Sequence, residues 1–308
     1  MRIPIFMICD NNYSPYMAVL IASICKNTNK QLDFYVLGKG ITDENKILIE
    51  DMKKSFSNFD INYKTIDITK DFNISYLVSP RMTSSTYIRM LLPELYPEID
   101  KMLIMDVDII SLKDISLLWE QDIDGYTFAA TLDEPLDAYY IFKKNMDVNI
   151  DCKYANCGVM LIDCKKWRKD KITNKCLEIE KIYRDKLNCS DQDVINKIFA
   201  GNFKQLDSKF NSLLGNEKEI VNRHFCYLRK PWLSKYNIEG DLIKNFDDWW
   251  EYAKMTPFYS YLLKQYNEFT NNSENASFKD TYNSYTKMEM MARIRNELKI
   301  KKLNKKKD

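Results

Sequence analysis

Lys101-Met102-Leu103-Ile104-Met105-Asp106-Val107-Asp108 is an apolar run that ends in two carboxylates at alternate positions. Four large apolar side chains in succession, with no polar face, suit a strand buried on both sides. In an extended chain residues two apart point the same way, so Asp106 and Asp108 share a face while Val107 turns from it. Two hard oxygen ligands at a strand end are a candidate seat for Mg²⁺ or Mn²⁺. The same Asp-x-Asp pattern also occurs in ordinary surface turns, so its meaning depends on what surrounds it.

Upstream, buried-strand patterns alternate with amphipathic ones. Ile3–Cys9 suits a strand, and Tyr16–Asn27 carries Met17, Leu20, Ile21 and Ile24 at helical spacing. Leu32–Leu37 reads as the next strand, Thr42–Phe56 as a helix and Asp60–Ile66 as a strand. Ser84–Leu92 reads as a helix ending near Pro93. This alternation predicts an α/β fold with a mainly parallel central sheet, its ligands lying outside the carboxyl ends of the strands. Asp10 and Asp106 both fall just past such strands, on one edge.

Downstream lies the chain's one histidine, in His224-Phe225-Cys226-Tyr227-Leu228-Arg229-Lys230-Pro231-Trp232. An imidazole added to two carboxylates tilts the metal choice toward Mn²⁺, with Mg²⁺ as the alternative. Three protein ligands leave positions open for diphosphate oxygens, and Lys230 is placed to neutralise such an anion. Read separately, the histidine is a hydrogen-bonded core or surface residue and Lys-Pro-Trp a turn with an anchoring indole.

Taken together in order, these segments resemble the retaining nucleotide-sugar glycosyltransferases of family 8. That family includes the lipo-oligosaccharide galactosyltransferases and, more distantly, glycogenin. The resemblance runs from about residue 3 to 235, through Ile3–Tyr13, Ser85–Leu91, Asp106–Asp108, Asn156–Ile162 with Lys166-Trp167, Asp191–Asn196 and the His224 segment. It implies a GT-A-type, Rossmann-like single domain that uses a UDP-hexose donor, galactose or glucose. Asp106, Asp108 and His224 would hold Mn²⁺. Asp10, Asn12, Tyr13, Val107, Asn156, Cys157 and Lys230 would bind the donor nucleotide and sugar, and Asp191, Gln192 and Arg89 would lie at the reacting carbon. Retention needs either a covalent intermediate or attack on the leaving-group face, and an amide such as Gln192 is a poor nucleophile. The residues also admit plainer readings. Asp10 and Asn12 fit a capped loop, Arg89 an exposed helix charge, Gly158 a close-packed strand glycine, and Asp191 a carboxylate at a helix N-terminus. Two positions depart from the family pattern. Tyr227 stands where glycine is usual, and Arg81 where the galactosyltransferase relatives can carry histidine.

Composition fits this picture. A chain of 308 residues with 45% hydrophobic content can bury a large core. Its net charge of +2 argues against nucleic acid as a partner. Eight cysteines without a Cys-x-x-Cys pair read as reduced, mostly buried thiols, and zinc at Cys152, Cys157 and Cys164 has the wrong spacing. The expected location is cytoplasmic, or peripheral on the inner face of the membrane. The donor-binding domain is expected over residues 1–245, with a helical extension over 246–308. In that extension the aromatic-rich Asp247–Leu263 reads as helices and Asn271–Asn275 as a loop. Lys287–Asp308 holds nine Lys or Arg against three acids, a net +6 that leaves −4 for the rest of the chain. Met288, Met291, Ile294 and Leu298 recur there at helical spacing. This end reads either as a basic helix on an anionic membrane or as a solvated tail. A membrane location would suit a lipid-linked saccharide acceptor; a free saccharide or a glycoprotein are the other acceptors expected, in synthesis of a lipopolysaccharide-type surface glycan or a glycoprotein glycan. Two further readings stay open, a UDP-sugar-binding protein without transfer and a membrane-surface interaction protein acting through its tail. The sequence leaves the oligomeric state open.

Overall fold

The structure is a computed structural model that describes residues 2–38, 40–66, 84–133, 142, 145–148, 151–187, 189–226, 229–237 and 240–274. It opens with β1 (Arg2–Ile8), α1 (Ser14–Asn27), β2 (Gln31–Gly38), α2 (Asp43–Glu50) and β3 (Phe59–Thr65). A 3₁₀ turn at Ser84–Leu91 leads into α3 (Leu92–Leu95), followed by β4 (Lys101–Met105), β5 (Ile109–Ser111), α4 (Ser116–Trp119) and β6 (Phe128–Ala130). Then come β7 (Val159–Asp163), α5 (Cys164–Lys169), α6 (Ile172–Tyr183), α7 (Ser190–Phe199), β8 (Lys204–Gln205) and β9 (Asn222–His224). The described chain closes with α8 (Phe246–Ala253) and α9 (Tyr259–Glu274).

The main sheet has the order β3-β2-β1-β4-β7-β6-β8. β3, β2, β1 and β4 run parallel, and only β7 opposes its neighbours on either side. The mainly parallel α/β architecture therefore stands as expected. Alternation within the strands builds a core on each face. Ile3, Ile5 and Met7 of β1 join Leu103 and Met105 of β4 under α1, while Phe6, Met102 and Ile104 turn to the other face. The second face is covered by the 3₁₀ segment, α5 and α7, through Ile88, Leu91, Trp167, Val194 and Ile195. Each such side chain, fully removed from water, contributes about 1.5–3 kcal/mol.

Helices α8 and α9 join the first core through Trp249, Trp250, Ala253, Leu262 and Phe269. The Tyr16 hydroxyl of α1 donates to Gln265 Oε1 of α9 at 2.9 Å, and Asn27 Nδ2 donates to the Tyr252 hydroxyl at 2.7 Å. Among the described residues no helix is long and apolar enough to cross a membrane.

Two local expectations are corrected. Residues 84–91 form a 3₁₀ rather than an α-helix, and Pro93 opens the next helix instead of ending this one. Proline lacks only a donor that a first turn leaves unused anyway. Residues 271–274, expected in a loop, are the last turn of α9. Once Leu262 and Phe269 dock the helix, each added residue gains a backbone hydrogen bond, which outweighs the weak helix propensity of Asn and Ser. The basic tail, Arg81 and Tyr227 lie outside the described residues.

Candidate active site

The second sheet builds the site. β5 and β9 pair antiparallel, with Ile109 opposite His224, and Phe225 N–H donates to the Asp108 carbonyl at 2.8 Å. This pairing carries the histidine across more than a hundred residues to the end of β4. There Asp106, Asp108 and His224 each offer a ligand atom, all within 4.8 Å of one another. His224 Nε2 lies 3.1 Å from Asp108 Oδ1 and 3.9 Å from Asp106 Oδ2. Among the described residues no other group of three His, Cys, Asp or Glu side chains could hold a metal ion.

The histidine's protonation follows from a chain of hydrogen bonds. Gly158 N–H donates to Asn156 Oδ1 at 2.9 Å, so that Asn156 atom must be oxygen. Asn211 therefore turns its amide nitrogen toward it, at 2.8 Å, and its oxygen toward His224 Nδ1, at 3.1 Å. Nδ1 must then carry a hydrogen, and the ring is held with Nε2 facing the two carboxylates. Two carboxylate oxygens with the Nε2 of a neutral imidazole, all within 4.8 Å, form a donor set that suits a divalent ion. The donor set fits the metal.

Each carboxylate has a cation at its other oxygen. Arg89 Nη2 is 2.5 Å from Asp106 Oδ1, and Lys230 Nζ is 2.6 Å from Asp108 Oδ2. Burial alone would push the Asp108 carboxyl up; the Lys230 ammonium, the largest opposing charge, holds the group well below the usual carboxylate range. Arg89 is buried, not an exposed helix charge. It donates to the Cys157 carbonyl and lies 3.3 Å from Asp191 Oδ2.

Asp191 and Gln192 open α7, beside Ser190, whose φ of +48° is a left-handed conformation that non-glycine residues rarely adopt. Burial pushes the Asp191 carboxyl up to about 6, with Arg89 pulling against it. Over the window from the ordinary value to about 6 the folded chain thus binds a proton at Asp191 that the unfolded chain releases, and this group's contribution to stability falls as pH rises. Thermal unfolding followed from pH 4 to 6 should show this decline, and Asp191→Asn should flatten it.

Gln192 is held at both ends. Its Oε1 accepts from Cys157 N–H at 2.9 Å, and its Nε2 donates to Asp133 Oδ2 at 2.7 Å. The Cys157 thiol is buried, and burial raises it far above a reactive range, so Cys157 meets the site through its backbone. Asp10 caps the turn Asn11–Tyr13, accepting from the N–H groups of Asn12 and Tyr13 at 3.0 and 3.1 Å. Tyr13 packs edge-on against Tyr16, whose ring stacks on Trp232 at 4.3 Å. The indole of Lys-Pro-Trp thus anchors α1, with Asp10 and Tyr13 at the carboxyl edge of the strand next to β4. Val107 is buried in the first core.

Two side chains in this network carry no sequence signal. Asn211 sits in an irregular loop and Asp133 just past β6, neither within a recognisable motif. An outer partner of a metal-binding histidine is worth about 10- to 100-fold in affinity. Asn211→Leu is therefore expected to weaken binding of a divalent ion at this site by about that factor, as calorimetric titration would show.

A family profile described as glycosyl transferase family 8 matches residues 4–236, and the chain belongs to that family. It is a glycosyltransferase with a GT-A-type fold. A Haemophilus influenzae protein designated a glycosyltransferase is 29% identical over 285 residues, covering 81% of this chain and 82% of that protein. The lipopolysaccharide 1,2-glucosyltransferase of Escherichia coli is 24% identical over 242 residues, covering 72% and 70%. A solved structure of the galactosyltransferase LgtC with donor and acceptor sugar analogs superposes with a TM-score of 0.68 and 22% identity, covering 83% of this chain and 96% of that one. At that identity the likeness is one of fold.

Proposed function

We propose that this chain is a Mn²⁺-dependent retaining hexosyltransferase that moves galactose or glucose from a UDP donor to a saccharide or glycoconjugate in a bacterial surface glycan. The observation that carries this reading is the convergence of Asp106, Asp108 and Nε2 of His224 beside Arg89, Asp191 and Gln192. A divalent ion bound there would supply Lewis acidity toward the diphosphate of the donor.

The protein's own groups divide the remaining work. Asp10, Asn12 and Tyr13 receive the uridine at the strand edge, and Lys230 neutralises the diphosphate. Asn156 and the Cys157 backbone line the sugar pocket, whose wall Arg89 keeps rigid. Gln192, held at Oε1 and Nε2, orients the sugar instead of attacking it, since an amide oxygen is a poor nucleophile. This favours attack from the leaving-group face, with the departing diphosphate taking the acceptor proton. The relatives named for glucosyl and galactosyl transfer support the hexosyl assignment.

The experiment is UDP release from UDP-galactose and UDP-glucose, each with and without Mn²⁺, water serving as a slow acceptor. Metal-dependent release from one donor supports the reading and names the sugar. Absence of both release and Mn²⁺-dependent UDP binding would overturn it.

The basic tail is read as an attachment to anionic membrane, bringing the site to lipid-linked acceptors. About 1 kcal/mol per basic residue near such a surface makes a net +6 ample. Truncation after Thr286 should abolish co-sedimentation with phosphatidylglycerol vesicles while UDP release in solution stays within about twofold of the full chain.

A further inference from the structure

The two metal-binding carboxylates are held by different kinds of cation. Arg89, on Asp106, is part of the wall: its side chain is 10% exposed and is tied also to the Cys157 carbonyl and Asp191. Lys230, on Asp108, belongs to the turn after β9, and its ammonium also donates to the Phe225 carbonyl at 2.7 Å. A lysine head is a compact charge on four rotatable bonds, able to change partner without moving backbone, whereas the Arg89 fork is fixed by its planar contacts.

A divalent ion drawn to Asp108 Oδ1 and His224 Nε2 must share the carboxylate with an ammonium already 2.6 Å from Oδ2. Like charges that close repel, and an Asp108 already neutralised is a weaker ligand. A diphosphate arriving at the same edge offers Lys230 another anion and frees Asp108 for the metal.

We infer that Lys230 is the exchangeable counter-ion of Asp108: it neutralises the carboxylate until a metal–diphosphate pair enters, then moves its ammonium to the diphosphate. Metal and nucleotide therefore load cooperatively, and part of their coupling runs through this one side chain. The inference rests on the metal and donor roles proposed above. Its signature is a reversal of sign. Without diphosphate Lys230 opposes the metal, and with diphosphate it supports metal and nucleotide alike, by linkage equally in both directions.

The test is Mn²⁺ binding to the full chain, read from loss of the free-ion EPR signal, in the presence of uridine and of UDP, corrected for Mn²⁺ held by UDP alone. With uridine, Lys230→Gln should bind Mn²⁺ about fivefold more tightly than wild type; with UDP, about fivefold more weakly. Lys230→Arg keeps the charge and should return both values toward wild type. Lys230→Met is the second neutral variant, used where Lys230→Gln does not keep the wild-type thermal transition. Weakening by the same factor with both ligands, or no change with either, overturns the exchange and leaves the proposed function standing. Wild-type protein that binds neither Mn²⁺ nor UDP overturns both.

Discussion

Asp108→Ala is expected to lower kcat/KM for sugar transfer by about a thousandfold or more, at least what loss of one preorganised charge-stabilising group costs in other enzymes. The carboxylate joins three functions, as proposed metal ligand, neighbour of His224 Nε2 at 3.1 Å and partner of Lys230 at 2.6 Å. Removing it leaves two nitrogen groups facing each other and takes one of three ligands from the metal. The fold should survive, because the backbone of Asp108 is what pairs the strands: its carbonyl accepts from Phe225 N–H, and a side-chain truncation leaves that bond in place. Lys230 is near enough to solvent, at 14% side-chain exposure, to be hydrated once its partner is gone. Circular dichroism should therefore stay native while Mn²⁺ affinity and turnover collapse together. Asp108→Asn, which keeps volume and loses charge, should behave the same way. A wild-type rate in either variant would remove the metal site from the mechanism.

How far the sequence foretold this architecture depends on which physical signal each part leaves. β1 to β4 and α1 were legible because a strand buried on both faces, or a helix docked by Met17, Leu20, Ile21 and Ile24, imposes a period on its own residues. Asp106 and Asp108 were legible because alternate positions on a strand end share a face. The reversal of β7 was not, since Val159–Asp163 has the same apolar content in either direction and its sense is decided by pairing with β4 and β6. The 3₁₀ segment escaped for a related reason. Residues 87–93 are all buried, so no polar face records the helical period. Asn211 lay beyond reach altogether. Its importance comes from one contact with His224 and one with Asn156, both non-local, and its own neighbours in sequence say nothing of either. Sequence periodicity reports what an element buries; a hydrogen-bond relay that fixes a tautomer has no period.

Gly158→Ala should separate the histidine's placement from the rest of the fold. Read from the sequence, Gly158 fits a close-packed strand glycine, and the structure shows what the close packing serves. A Cβ at this position would lie 2.3 Å from His224 Cε1, 2.7 Å from Nδ1 and 3.0 Å from Asn156 Oδ1. The first two distances are impossible contacts, so the ring must move. It has little room to do so, being 3% exposed and bonded to Asn211 on the side the methyl enters. Retreat breaks the Nδ1–H bond that sets the tautomer, and Nε2 leaves its alignment with Asp106 and Asp108. Overpacking of this kind costs about 1–3 kcal/mol of stability. Losing the oriented imidazole should lower Mn²⁺ affinity by about 10- to 100-fold. Gly125→Ala is the control, because Gly125 has φ +83° with nothing within 4 Å of its Cβ position. That substitution should strain the backbone by about 1 kcal/mol and leave Mn²⁺ affinity unchanged. Calorimetric metal titration beside thermal unfolding reads both quantities on both variants. Equal metal affinity in Gly158→Ala and wild type would mean that the ring has slack, and that His224 reaches the carboxylates without the Gly158–Asn156–Asn211 relay.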